Sequence, residues 1–124
     1  MDSRKCERES GYANAITSLP EAELPFEKAK GWVLQGEASQ LVFWEFEPEA
    51  KVPEHCHPYL QWGFVIEGKM EFIVNGAACI YEKGDEYIVP AEAKHCARFL
   101  AATRVVDLFS EKSRYKVKSV KKYP

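Results

Sequence analysis

The sequence predicts an all-β fold, an antiparallel sandwich or barrel within a single domain. Short runs rich in β-branched and aromatic residues recur along the chain, and turn residues interrupt them about every 8 to 12 positions. No stretch has the apolar periodicity of a long amphipathic helix. A chain of 124 residues is also long enough to form one hydrophobic core.

The chain divides into two parts of different amino-acid composition. Residues 1–25 are polar, so we expect an N-terminal arm or edge segment that lies outside the core. Residues 26–124 are expected to form the β domain, because aromatic and β-branched residues become frequent there. The first two strands of this domain are predicted at 32–36 and 40–46.

The dipeptide Asn75-Gly76 predicts a tight two-residue hairpin, because both positions tolerate a positive φ angle. It separates two apolar runs, 70–74 and 78–81, which we expect to pair as strands. Further strands are predicted at 60–66, 87–89, 96–100 and 103–109.

Charge and hydropathy argue against nucleic-acid and membrane partners. A net charge of −2 leaves no basic footprint over the chain as a whole. No apolar run approaches the roughly 18 residues that a membrane-spanning helix needs. Residues 1–9 are charged and lack the apolar core of a secretion signal, so we expect a cytoplasmic location.

The three histidines of the chain fall in two places. His55 and His57 are separated by one residue, and Gln61 follows four positions later. If this stretch is extended, all three side chains project from one face of a strand. His95 follows another strand-like run, 85–90. Imidazole nitrogens that share a face are suited to binding a transition metal.

The four cysteines indicate no separate site. Cys6, Cys56, Cys79 and Cys96 include no Cys-x-x-Cys pair, so neither a zinc ribbon nor a thioredoxin-like motif is predicted. Cys56 and Cys96 each neighbour a histidine, which leaves open a role as metal ligands. On a strand, however, each thiol points away from the neighbouring imidazole, which favours reduced thiols.

The predicted strand 60–66 has an apolar second face. Its members are Leu60, Trp62, Phe64 and Ile66. This face is too apolar to remain in water, so a second sheet of the same chain or a second subunit must cover it. With so short a chain we favour a homodimer.

Two motifs of the chain resemble those of the cupins. The first consists of His55 and His57 with Gln61, and the second is the run 84–90 followed by His95. The resemblance implies a small antiparallel jelly-roll barrel that holds one divalent metal and is commonly dimeric. Carried over residue by residue, it implies that the metal ligands are His55, His57, Gln61 and His95.

The position of Gln61 departs from the usual cupin pattern, in which a glutamate stands there. Glutamine provides a neutral amide oxygen, so a bound ion keeps its full positive charge and polarises a substrate oxygen more strongly. The same change weakens ionic retention of the metal. Three imidazoles and one amide oxygen suit Zn, Ni, Fe or Mn, and the sequence does not choose among them.

A later segment resembles one group of cupins, the uronate ring-opening proteins of pectin and alginate breakdown. The matching positions are Asp107, Phe109, Ser110 and Arg114, although the arginine is displaced by one residue and a nearby proline is missing. Asp107 lies in an otherwise apolar strand, where an unpaired carboxylate is costly. It is therefore either a solvent-facing residue or a group with a partner or a catalytic function.

Three kinds of function remain open at this point. In the first, a metal-dependent isomerase or lyase acts on a small carbonyl- or carboxylate-bearing, sugar-like substrate. Asp107 then moves a proton, and Arg114 or Arg98 holds a carboxylate. Tyr59 has the same parity as the predicted ligands, and it is either a catalytic residue that lines the cavity or an aromatic residue at its rim. The second is a non-catalytic module that binds or senses a small molecule, and the third is a metal-dependent dioxygenase.

Overall fold

The structure is a computed structural model that describes residues 10–118, and it confirms the all-β prediction. The elements, in chain order, are α1 (Asn14–Thr17), β1 (Ala29–Gln35), β2 (Gln40–Phe46), β3 (Lys51–His55), β4 (Gln61–Glu67), β5 (Lys69–Val74), β6 (Ala77–Glu82), β7 (Glu86–Val89), β8 (His95–Phe99) and β9 (Thr103–Phe109). No helix among the described residues is long and apolar enough to cross a membrane.

The strands form two antiparallel sheets. One sheet has five strands in the order β1-β2-β9-β4-β7, and the other has four in the order β3-β8-β5-β6. Most neighbours within a sheet are not consecutive along the chain, so the chain passes repeatedly from one sheet to the other. This is the jelly-roll arrangement, in which two sheets enclose a shared interior.

Strict alternation of buried and partly buried residues along β2 and β9 places one face of each strand in the core. Phe46 of β2 and Phe99 of β8 stack with ring centroids 3.8 Å apart, and so connect the two sheets. Both side chains are buried. Aromatic packing across the interior therefore holds the sheets together at this end of the barrel.

The predicted hairpin at Asn75-Gly76 is present between β5 and β6. Asn75 has a φ of 49° and Gly76 a φ of 84°. Both residues lie in the left-handed region, as a two-residue turn with the correct twist requires. The register pairs Val74 with Ala77 directly across the turn.

The described part of the predicted arm packs on the barrel. Tyr12 lies on the outer side of the five-stranded sheet, where its hydroxyl donates to the carbonyl oxygen of Trp44 at 2.8 Å. Ala22 is 1% exposed and pairs with Val117 in an isolated bridge. The arm thus contributes one small residue to the core, and a domain boundary at residue 26 stays a prediction.

The apolar outer face of β4 is exposed in the single chain. Trp62 and Phe64 are 48% and 46% exposed, and Leu60 at the strand's start is 40% exposed. Ile88 of the neighbouring strand β7 pairs with Trp62 and is 58% exposed. Nothing within the described residues covers this surface, which we call the apolar face.

Phe99→Ala is expected to lower the free energy of unfolding by about 3–5 kcal/mol, because it removes a buried ring and leaves a cavity between the sheets. Ile80→Ala, which shortens an exposed side chain on β6, is the control and should cost less than about 1 kcal/mol. Urea unfolding followed by tryptophan fluorescence measures both. Equal losses in the two variants would contradict the importance of the Phe46–Phe99 stack.

Candidate metal centre

Three histidine side chains meet inside the barrel. Among the described residues, His55, His57 and His95 each offer a ring nitrogen, and these nitrogens lie within 4.8 Å of one another. His57 and His95 are buried, and His55 is partly buried. His55 ends β3 and His95 begins β8, and the two residues are direct partners across these paired strands. Sheet pairing therefore sets the separation of these two histidines.

The chain changes sheets between His55 and Gln61, two of the predicted ligands, which corrects the expectation of one extended strand. β3 ends at His55 and β4 begins at Gln61, and these strands belong to different sheets. His57 lies in the connection between them. The side chains converge because both sheets face a common interior, so their proximity does not come from one shared strand face.

Backbone carbonyl groups hold all three imidazoles in the same tautomer. The Nδ1 atoms of His55, His57 and His95 are bonded to carbonyl oxygens of residues two positions away, at distances of 2.8–2.9 Å. A carbonyl only accepts, so each Nδ1 carries the proton and each Nε2 keeps its lone pair. The free Nε2 atoms are the ones that a metal would bind.

The polar atoms inside the cluster lack partners in a way that a cation would satisfy. Nε2 of His95 is buried and makes no hydrogen bond with any described residue. Nε2 of His57 lies 3.2 Å from Oε1 of Gln61. In this orientation of the Gln61 amide, both atoms are acceptors. Buried hydrogen-bond acceptors that lack a hydrogen-bond donor are costly. The lone pairs of these atoms therefore fit a bound divalent metal.

Burial and nearby positive charges lower the pKa of two of the three histidines, His55 and His95. Burial lowers the pKa of His95 to about 4, and the positive charges of His55, His57 and Arg114 act in the same direction. Burial also lowers the pKa of His55, with further contributions from Arg114 and His57. Neutral imidazoles carry the lone pairs that a metal requires.

Asp107 lies next to the cluster and has a partner, as its position in an apolar strand suggested. The hydroxyl of Tyr87 donates to Oδ1 of Asp107 at 2.8 Å, and both side chains are buried. A Cβ at position 63 would overlap both groups, so glycine is required there. Burial raises the pKa of Asp107 to about 6, while the hydrogen bond from Tyr87 opposes the rise.

Two adjoining cavities lead to these residues. The inner cavity has a volume of about 40 Å³, and it is lined by aromatic side chains together with His95, Gln61 and Asp107. The outer cavity has a volume of about 370 Å³, and its lining includes the exposed Glu54 and the partly buried Arg114. The candidate site is thus a small, mostly apolar chamber that adjoins a larger cavity with charged side chains in its lining.

Arg114 brings a positive charge to this site. Its guanidinium carbon lies 5.7 Å from the ring centroid of Phe109 and 4.9 Å from that of Tyr115. Its buried Nε makes no hydrogen bond within the described chain. The guanidinium group is therefore held by aromatic rings and retains donors for an anionic ligand.

Tyr59 and Arg98 lie outside both cavities. The ring of Tyr59 stacks on that of His57 with centroids 4.3 Å apart, and its backbone carbonyl accepts the Nδ1 proton of His57. A catalytic role for its hydroxyl stays a prediction. Arg98 points out from β8 and forms an ion pair with Glu71 at 3.0 Å. Arg114 is thus the better placed of the two arginines.

Sequence reasoning missed several residues that build the site. Gln40 is 1% exposed, and its side-chain amide binds the backbone of Tyr115 through both atoms, at 2.9 Å and 3.0 Å. Tyr87, Phe26 and Tyr115 also line the inner cavity. The one available signal was the polar Gln40 at the start of an apolar run.

A family model described as "Cupin domain" matches residues 42–109, which is more than half of the chain. An RmlC-like cupin from Shewanella frigidimarina and KdgF from Halomonas sp. are both similar in structure, each at 22% identity with a TM-score of 0.72. Each match covers 86% of this chain, and 95% and 97% of the respective relatives.

A mutant of Bacillus subtilis oxalate decarboxylase OxdC is similar at 18% identity with a TM-score of 0.67. That match covers 77% of this chain but only 28% of the other. No curated protein matches the chain in sequence. At these identities the structural matches establish the fold.

His95→Ala is expected to abolish stoichiometric metal binding, because it deletes one of three converging ring nitrogens. Elemental analysis of protein purified without a histidine tag measures the metal content. Cys96→Ala is the matched control, since its thiol is adjacent in sequence but outside the cluster, and it should keep the wild-type content. Full metal content in His95→Ala, or none in the wild type at any loading, would contradict a metal centre.

Proposed function

The chain belongs to the cupin family, and on this basis we propose that it is a small metal-dependent enzyme. Its substrate is a polar, sugar-like molecule that bears a carbonyl or carboxylate group. His55, His57, His95 and Gln61 hold one divalent transition metal. The observation that carries this proposal is the buried, unpartnered Nε2 of His95 among three imidazoles whose tautomers the backbone has set.

The donor set has no net charge, which decides what it does for a substrate. A divalent ion bound there supplies a Lewis acid that polarises a substrate oxygen. Gln61 adds an amide oxygen where a carboxylate would cancel part of that charge. Zn, Ni, Fe and Mn all suit these ligands, and measurement of the metal content is needed to choose among them.

Asp107 is the proposed proton carrier. Its carboxylate lines the same inner cavity as His95, and the Tyr87 hydroxyl fixes its orientation. A buried carboxylate within reach of a polarised substrate can accept a proton from one carbon or oxygen and return it to another. Arg114 at the outer cavity is proposed to hold a carboxylate of the substrate.

The substrate class rests on two likenesses that point the same way. The late segment with Asp107 resembles that of the uronate ring-opening proteins, and KdgF is among the similar structures. We therefore propose an unsaturated uronate as the first substrate to test. The anion-binding donors of Arg114 are consistent with a carboxylate on that substrate.

Asp107→Asn is expected to reduce turnover of unsaturated uronates by about 10²–10⁴-fold, because an amide does not accept the proton. Consumption of the substrate is followed by ultraviolet absorbance, with metal content checked in each sample. Asp85→Asn, in an exposed turn, is the control and should keep wild-type turnover. Unchanged turnover in Asp107→Asn would remove the catalytic role, and tight binding without product would favour a sensing module.

We also propose that the protein is a homodimer in which a second copy covers the apolar face. Trp62, Phe64 and Ile88 are each about half exposed in the single chain, although they are large and adjacent. Contiguous apolar surface of this kind marks an interaction site. A cytoplasmic location remains a prediction from the sequence.

Phe64→Glu is expected to convert a dimer into a monomer, because it places a charge within the apolar face. Light scattering coupled to size-exclusion chromatography reports the mass in solution. Ile80→Glu is the control, since Ile80 is equally exposed but lies on the other sheet, and it should leave the mass unchanged. A monomeric wild type would rule the dimer out.

A further inference from the structure

The inner and outer cavities share part of their lining. Four residues line both cavities, namely Phe26, Val52, His55 and Tyr115. His95 lines only the inner cavity, and the four shared residues lie where the two cavities adjoin. We call them the neck.

The volumes of the two cavities indicate what passes the neck. A cavity of about 40 Å³ has room for about three water molecules, which is the size of a carboxylate or carbonyl group. A sugar ring does not fit in that space. The outer cavity, at about 370 Å³, has room for the body of such a molecule beside Arg114.

The two aromatic residues of the neck, Phe26 and Tyr115, belong to segments that are far apart in sequence but hydrogen-bonded to each other. The backbone N–H of Glu23 donates to the carbonyl oxygen of Lys116 at 2.8 Å, close to Phe26 on one side and Tyr115 on the other. The Tyr115 backbone is further fixed by the amide of the buried Gln40. The Tyr115 backbone is therefore held firmly, and the partly buried Phe26 lines the same two cavities.

We propose that Phe26 is a specificity-determining residue, which with Tyr115 admits only a narrow oxygen-bearing end of a substrate to the histidine cluster. The branched or cyclic body then remains in the outer cavity. The identity of the substrate rests on the proposed function, whereas the neck rests on the geometry of the two cavities alone.

The test measures how fast a reagent reaches His95 in metal-free protein. Diethyl pyrocarbonate acylates free imidazole nitrogens, and peptide mapping by mass spectrometry gives a separate rate for each histidine. His55 lines the outer cavity as well as the inner one, so the reagent reaches it without passing the neck, and it serves as the internal reference. His95 has a free Nε2 but lies behind the neck. The ratio of the two rates therefore reports passage through the neck.

Phe26→Ala is expected to raise the His95 rate about tenfold while the His55 rate changes less than about twofold, because reaction behind a barrier follows the open fraction. Phe26→Trp, with a larger ring, should lower the His95 rate. Leu24→Ala is the matched control, since Leu24 is partly buried on the same segment but lines neither cavity, and it should leave both rates unchanged.

An unchanged His95 rate in Phe26→Ala would overturn the proposal, and so would an equal rise in Leu24→Ala. If circular dichroism shows that Phe26→Ala is unfolded, Phe26→Trp decides: a slower His95 reaction supports the neck and an unchanged one refutes it. Because the assay uses metal-free protein, it is separate from the proposed function, which fails if the wild type binds no metal.

Discussion

Three short hydrogen bonds between imidazole N–H groups and backbone carbonyls determine what this barrel interior is able to bind. Pro53, Tyr59 and Ala93 supply the carbonyl oxygens, each two residues from the histidine it accepts from. This local geometry leaves each Nε2 lone pair free and directs it inward. Without these hydrogen bonds the three imidazole rings could pair with one another. Their Nε2 lone pairs would then no longer converge on one point in the interior.

Strand β4 contributes side chains both to the interior of the barrel and to its outer surface. Its inward face places Gln61 among the histidines, and Gly63 leaves the space that the Tyr87–Asp107 pair occupies. Its outward face presents Trp62 and Phe64 to solvent. Successive side chains on a strand point to opposite sides of the sheet. The proposed metal site and the proposed dimer interface therefore lie on opposite faces of β4.

Local signals predicted much of the fold and part of the site. The hairpin followed from the φ preferences of Asn75 and Gly76, and the apolar outward face followed from alternation along 60–66. The histidine set was identified from spacing and resemblance. The expectation of one continuous strand through His57 was wrong, because the chain turns after His55 and enters the other sheet. The histidine side chains still converge, because both sheets face the same interior.

The sequence by itself determined the all-β class, the tight turn and the residue types that are able to hold a metal, because these depend on conformational preference and on chemistry over a few positions. Only the tertiary structure decided that Tyr87 binds Asp107, that Gln40 holds Tyr115 and that Arg98 points away from the site. It also brought Phe26 and Tyr115 to the lining of the same two cavities. These contacts join residues that are distant along the chain. Strand pairing decides which distant residues meet, and no local conformational preference specifies that pairing.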